Sequence, residues 1–327
     1  MKLSERWNSL TSSHVLTKPH LDKTVRIVWS VFRLALFIGL GYVILYPILY
    51  MLSTTFRSDT DILDPSIVWI PKHFSTNNIT QAFDVMNYPK ALWNTLSINM
   101  VGACIQVLVT SIVGYGFARY QFRGRSVLFA LVLFTIIVPP QTTMIPMFLK
   151  FSSFDVLGIM ELVRHLFNPD IQIKLVNTPL VMYLPALFGM GLRSGLFIYI
   201  FRQSFRGMPK ELEEAALIDG CGAVKTFVRV MVPNAAAIYL TAILLSMVWY
   251  WNDFYTTTML MDKTQTVTVA LSHLREGMWK FVSGKDLELT MLRMQAGCLL
   301  AILPPMVVYF FAQKNFTESV ERSGIVG

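Results

Sequence analysis

Four carboxylates, Glu211, Glu213, Glu214 and Asp219, fall within nine residues of the stretch KELEEAALIDGCG at 210–222. Apolar sequence flanks it on both sides. The chemistry on offer is a hydrogen bond or ion pair with a partner rather than catalysis. The chain carries no HExxH, no GxSxG and no paired carboxylates within an apolar segment. A GxxxxGK[ST] phosphate loop is missing too, so energy must come from a partner or a gradient.

The local order of residues predicts a short helix over 209–220. Gly207 breaks the incoming helix, and Pro209 suits a first helical position, where its missing N–H costs nothing. The three glutamates in the first turns complement the positive end of the helix dipole. Leu212, Ala215, Ala216 and Asp219 follow i, i+3, i+4, i+7 spacing and are expected on one face. Gly220 and Gly222 end the helix. About 11 residues at about 1.5 Å each give roughly 16 Å. A helix that short is marginal alone in water and must dock. Membrane-surface helices are rich in Lys and Arg with a bulky apolar face. This one is acidic with small alanines, so a protein groove is the better partner.

The elements around it are built for a bilayer. The chain has 327 residues, 54% hydrophobic and 15% charged, with a mean hydropathy of +0.51. Soluble domains average about 25% charged residues. The net charge of +8 is split among short loops, which reads as a topology signal and not as a nucleic-acid footprint. A membrane-crossing helix needs about 20 mostly apolar residues. Six segments qualify, at about 27–52, 91–117, 126–149, 179–201, 227–250 and 290–311. The first follows a polar stretch, 1–26, and is too long for a signal peptide, so it is expected to stay as an anchor. The Lys and Arg density of the alternating loops puts both termini in the cytoplasm. Arg293, near the start of the sixth segment, is expected to snorkel to the interface.

Prolines punctuate the segments: Pro47 in the first, Pro139, Pro140 and Pro146 in the third, Pro304 and Pro305 in the sixth. Each can kink its helix. The outer loop 59–90 reads as extended and interface-hugging, not as a domain. The loop 151–178 has room for a short helix, VLGIMELVRHLF, and 252–289 is of similar size. Cys104, Cys221 and Cys298 are far apart and imply neither a disulfide nor a metal site, only small apolar side chains.

Glu214-Ala215-Ala216, then Gly220, then Val230, Val232 and Pro233 resemble the EAA loop of binding-protein-dependent ABC importer permeases. That motif reads Glu-Ala-Ala, three residues, Gly, nine residues, Ile, any residue, Leu, Pro, and the spacing agrees throughout. Asp219 and Phe227 stand where the sugar-importing branch commonly has Asp and Phe. Val230 and Val232 replace Ile and Leu, and Gly222 replaces a common helix-capping Ser. VPPQTTMIP at 138–146 and Trp251-Asn252-Asp253-Phe254 resemble further features of that branch, and the tail AQKNFTESVERSGIVG does so loosely. The likeness covers about residue 91 to 327 and is nearest to the second, six-span permease of maltose-type sugar transporters.

The resemblance implies an all-α membrane protein of the type I importer (MetI-like) fold, with six spans and N-in/C-in topology, in the bacterial inner membrane. It divides the chain into a tail 1–26, a first span and outer loop 27–90, a core 91–311 and a tail 312–327. It implies a second permease, two cytoplasmic ATPase subunits that bind ATP, an extracytoplasmic solute-binding protein, and a sugar or oligosaccharide as solute. The permease itself is expected to be no enzyme and to hold no cofactor or metal. The helix 209–220 becomes a coupling helix, with Glu214 pairing with the ATPase, Ala215 and Ala216 packing closely, Gly220 turning the chain, and Asp219, Phe227 and Pro233 completing the motif. Candidate path-lining groups are Asn94, Asn99, Gln141, Thr142, Tyr183 and Trp249, which offer hydroxyl-pairing groups and aromatic platforms. Asn and Gln at such places also serve as glue between helices. Trp251 is expected in an interfacial aromatic belt. The rival readings are a permease for a peptide, amino acid or phosphonate, and a secondary transporter. No internal repeat or mid-span carboxylate favours the latter.

Overall fold

The computed structural model describes residues 23–62, 64–155, 173–279 and 287–324. The expected short helix within 151–178 lies outside them, as do the first 22 residues. The chain divides into two units, 1–51 and 52–327.

The first unit carries most of helix α1, Lys23–Thr55. Trp29, Phe37 and Ile44 are each more than 60% exposed, and apolar side chains point out all round. Such a helix is soluble only in lipid. Pro47 lies inside it without dividing it.

The second unit continues with α2 (Asn77–Val85), α3 (Tyr88–Arg119), α4 (Arg125–Ile137), α5 (Gln141–Ser152), α6 (Leu180–Leu187) and α7 (Ser194–Gly207). Then come α8 (Glu211–Ile218), α9 (Ala236–Asn252), α10 (Tyr255–Met261), α11 (Val267–Met278) and α12 (Leu287–Gly324). By length and composition, α1, α3 and α12 can each cross a membrane unbroken. Two further candidates are bent: α4 with α5, at 101°, and 223–234 with α9, at 80°. The first bend falls at Pro139 and Pro140, as expected. Val138 is forced to an extended conformation, and neither proline supplies a helix N–H. Pro304 and Pro305, by contrast, leave α12 undivided.

The predicted span 179–201 is realised differently, as α6 and α7 in series with a break at 188–193. Gly189 takes φ +70° and Arg193 φ +59°, left-handed conformations that no helix continues through.

Helix α3 is the hub, packed by α6, α7 and α9. Small residues let the neighbours approach, as is usual between membrane helices. A Cβ on Gly114 would sit 2.6 Å from Phe201 Cβ and 3.0 Å from the Arg202 backbone nitrogen. Because the obstruction includes backbone, Gly114→Val is expected to destabilise by at least the ~1–3 kcal/mol typical of overpacking. Thermal melting of the purified, detergent-solubilised protein measures it. An unchanged melting temperature would show that α3 and α7 part readily.

Several outer-side expectations change. The loop 59–90 is not merely extended: it holds a helical turn at Asp59–Ile62 and then α2. Ala82 and Met86 are buried with Leu274, Met278 and Ala296, which explains why this stretch folds back. Ser58 N–H donates to His73 (3.2 Å) and Ser75 N–H to Phe56 (2.9 Å). Burial alone would raise the Asp61 carboxyl. Hydrogen bonds from the His73 backbone and ring outweigh it and hold the group below its usual range. Arg293 does not snorkel. It is 3% exposed, paired with Asp59 at 2.6 Å and donating to Gln81 at 3.3 Å. Trp251 is no belt residue. It is 8% exposed, and its ring N–H donates to the Ala301 carbonyl at 3.2 Å. Cys104 is exposed, while Cys221 and Cys298 are half-buried.

Candidate functional site

The acidic stretch forms helix α8, two residues shorter at each end than the predicted 209–220. Pro209 precedes the helix, and Lys210 is its N-cap. The N–H groups of Glu213 and Glu214 both donate to the Lys210 carbonyl, at 2.9 and 3.1 Å. The C-terminus is a full Schellman closure. Cys221 N–H donates to Ala216 at 2.9 Å, and Gly220 N–H donates to Leu217 at 3.0 Å, with Gly220 at φ +73°. That conformation favours glycine and excludes β-branched residues.

The predicted common face of Leu212, Ala215, Ala216 and Asp219 is split. Ala216 is buried and Leu212 half-buried, whereas Ala215, Asp219 and Glu214 are exposed. The outward surface is not alanines alone. Leu217 is 60% exposed, Ile218 86% and Val224 77%. An acidic rim therefore surrounds an apolar patch with no partner in the described chain.

What holds α8 in place was not predicted. Tyr115 and Arg119, one turn apart at the end of α3, both reach Glu213. The Tyr115 hydroxyl donates to Glu213 Oε1 at 2.7 Å, and Arg119 Nε lies 3.5 Å from Oε2. A second guanidinium nitrogen of Arg119 donates to the Met208 carbonyl at 2.8 Å. The Tyr115 ring is fixed in turn by Phe205, 5.4 Å away edge-on, and Phe227, 4.8 Å away. The i, i+4 spacing of a hydroxyl and a cation at a helix end was the available signal.

Beyond α8, the one-turn helix Ala223–Thr226 runs into a π turn, Phe227–Met231. Val232 N–H donates to Phe227, five residues back. The widened turn precedes Pro233, whose ring would clash with a carbonyl four residues back in a regular helix. Phe227 and Pro233 thus bracket the π turn, and the 80° bend into α9 follows at Ala235.

The candidate path residues do not form one cluster. Asn94 donates to the Gln265 carbonyl at 3.0 Å. Asn99 is buried, 3% exposed, and bridges α3 to the Met247 carbonyl of α9 at 3.0 Å, as helix glue does. Tyr183 reaches toward the Ser97 carbonyl at 3.5 Å. Trp249 packs edge-on against Phe197 at 5.2 Å. Gln141 and Thr142 stand exposed on the first turn of α5, with the Thr142 hydroxyl returned to Pro139 at 2.8 Å.

Long apolar helices, with a polar helix closed by glycine and tied to the end of α3, define a multi-pass membrane subunit that presents an exposed apolar patch. Residues 106–322 match the family described as binding-protein-dependent transport system inner membrane component, and the chain belongs to that family. Such a component is the permease of an ABC importer and works in the membrane with the transporter's other components. The chain is similar to the lactose transport system permease protein LacG of Rhizobium radiobacter, with 26% identity over 90% of this chain and 94% of that protein. It is likewise similar to the arabinooligosaccharides transport system permease protein AraQ of Bacillus subtilis, with 26% identity over 91% and 98%. Its fold is that of a chain in the crystal structure of a bacterial ABC transporter involved in the import of the acidic polysaccharide alginate. That match has a TM-score of 0.69 at 19% identity and covers 90% of this chain and 99% of the other.

Proposed function

We propose that this permease imports a saccharide, paired with a second permease, two cytoplasmic ATPase subunits and an extracytoplasmic binding protein, and that α8 is its coupling helix. The observation that carries the coupling role is the exposed patch of Ala215, Leu217 and Ile218, rimmed by Glu214 and Asp219, on a helix clamped to α3. Closure of an ATPase dimer would pull α8, and the Glu213 clamp would hand that motion to the bundle hub, a rigid-body switch. The saccharide reading rests on relatives that align along nearly their whole length with this chain and are named for lactose and arabinooligosaccharide transport. In this reading Asn99 braces helices rather than touching solute, and Tyr183 and Trp249 remain the aromatic candidates beside the path.

The test is reconstitution of the permease with its genomic partner subunits in liposomes. Labelled oligosaccharides are expected to accumulate only with internal ATP and the binding protein. Accumulation driven by an ion gradient without the ATPase would overturn the reading.

A further inference from the structure

We propose that Arg193 is a solute-contacting cation and that the saccharide carried is anionic, bearing a carboxylate; this rests on the saccharide reading above. The proposal starts from the break between α6 and α7. Its depth is set by Gln106, near the middle of α3, whose side-chain amide donates to the Leu192 carbonyl. The next residue, Arg193, is therefore at mid-bundle depth, far from either end of α3. It is exposed, and it adopts a left-handed φ of +59°, which a non-glycine residue holds only when its surroundings impose it.

Among the described residues, no carboxylate lies within ion-pair distance of Arg193. Its guanidinium instead stands over the Trp249 ring, 6.0 Å from the centroid. The surface around it is apolar, with Leu187, Phe188 and Met190 each more than half exposed. Two buried polar atoms beside the same break have no partner among the described residues: the Ser194 hydroxyl and Gln106 Oε1. The break thus gathers a cation, an aromatic face and unsatisfied polar groups at one level. A guanidinium at such depth is costly unless it faces a partner charge or a water-filled path. Arg193 precedes the first turn of α7, so the positive end of that helix adds to its field and does not offset it.

The cation and the aromatic face each have a use in binding a uronic acid residue. A guanidinium pairs with a carboxylate through two parallel hydrogen bonds. The Trp249 face supports the apolar side of the sugar ring, and the buried Ser194 and Gln106 stand behind that wall, out of reach of the solute. A neutral sugar would leave the cation unpaired in the path.

The test uses the complete reconstituted transporter, with digalacturonate and its carboxyl-reduced neutral counterpart as probes. Binding is measured without the binding protein, so that the membrane subunits alone decide, and uptake with it. The wild-type complex is expected to bind digalacturonate at least about tenfold more tightly than the neutral disaccharide, with the difference shrinking at high salt. Arg193→Gln is expected to remove that preference, lowering the affinity for digalacturonate about tenfold more than that for the neutral disaccharide. Arg193→Lys should keep part of it. Equal loss of both affinities in Arg193→Gln would mean that the cation pairs with the second permease, and would overturn the proposal. An unchanged preference in that variant would also overturn it. ATP-driven uptake of neutral saccharides alone would overturn this proposal and leave the saccharide reading intact. Absence of ATP-driven uptake of any saccharide would overturn both.

Discussion

Gly220→Val is expected to abolish solute uptake, by about a hundredfold or more, while the protein still reaches the membrane. No atom lies within 4 Å of an added Cβ at this position, so the effect is conformational and not a clash. At φ +73° a β-branched residue is strongly disfavoured, and the backbone would rotate out of the left-handed region. The two closing bonds, Cys221 to Ala216 and Gly220 to Leu217, would then be lost. A helix of eight residues has little else to resist fraying. Leu217 and Ile218 sit in that last turn, so the apolar patch would lose its shape just where the proposed ATPase contact lies. Asparagine tolerates the left-handed conformation, so Gly220→Asn should retain most uptake. Glu214→Lys tests the same surface without touching the helix's own support, since Glu214 is exposed. It should lose uptake with unchanged thermal stability. The measurement is ATP-dependent uptake normalised to the amount of permease in the membrane. Normal uptake by Gly220→Val would remove α8 from the coupling role.

The helices that carry the fold were legible because apolar length is a one-dimensional property. The bend at Pro139 and Pro140 was legible for the same reason: a proline acts on its own turn. What stayed hidden depended on pairs of residues distant in sequence. Arg293 looked like an interfacial cation until Asp59 and Gln81, more than 200 residues away, were found beside it. Trp251 looked like a belt residue until Ala301 supplied its acceptor. Asn99 looked like a solute contact, and its partner is a backbone carbonyl on α9, a group that no side-chain pattern records. Within α8 the helical period put Leu212, Ala215, Ala216 and Asp219 on one face, and the fold splits that face between buried and exposed. Ala215 and Ala216 are 100° apart around an ideal helix axis, and the segment packed against α8, chiefly the π turn, decides which of them faces inward. The bundle takes Ala216, so a face expected to present two alanines presents one, with Leu217 and Ile218 beside it.

Glu213 ties α8 to the end of α3, and disrupting its clamp is expected to separate ATP hydrolysis from transport. Hydrogen bonds to charged groups contribute about 1.5–3 kcal/mol each. The Tyr115 hydroxyl and the Arg119 guanidinium both address Glu213, with only 8% of the Arg119 side chain and 18% of the Glu213 side chain exposed. Tyr115→Phe removes one donor and keeps the ring packed against Phe205 and Phe227, so α3 stays folded. Arg119→Ala removes the ion pair and the bond to Met208 together, and should be the more severe change. The proposed docking surface of Glu214, Ala215 and Ile218 is untouched by either. The ATPase should therefore still bind and hydrolyse ATP, but its stroke would move a loosened α8 rather than α3. The expected signature is a rise of several-fold in ATP consumed per solute imported for Tyr115→Phe, and near-complete uncoupling for Arg119→Ala. A role in folding alone would lower hydrolysis and uptake in proportion and leave that ratio unchanged. The pair Tyr115→Phe and Glu213→Gln should be less than additive, because each disables the same contact. Strictly additive effects, or an unaltered ratio in both single variants, would show that the motion enters the bundle elsewhere, leaving the π turn before Pro233 as the route to α9.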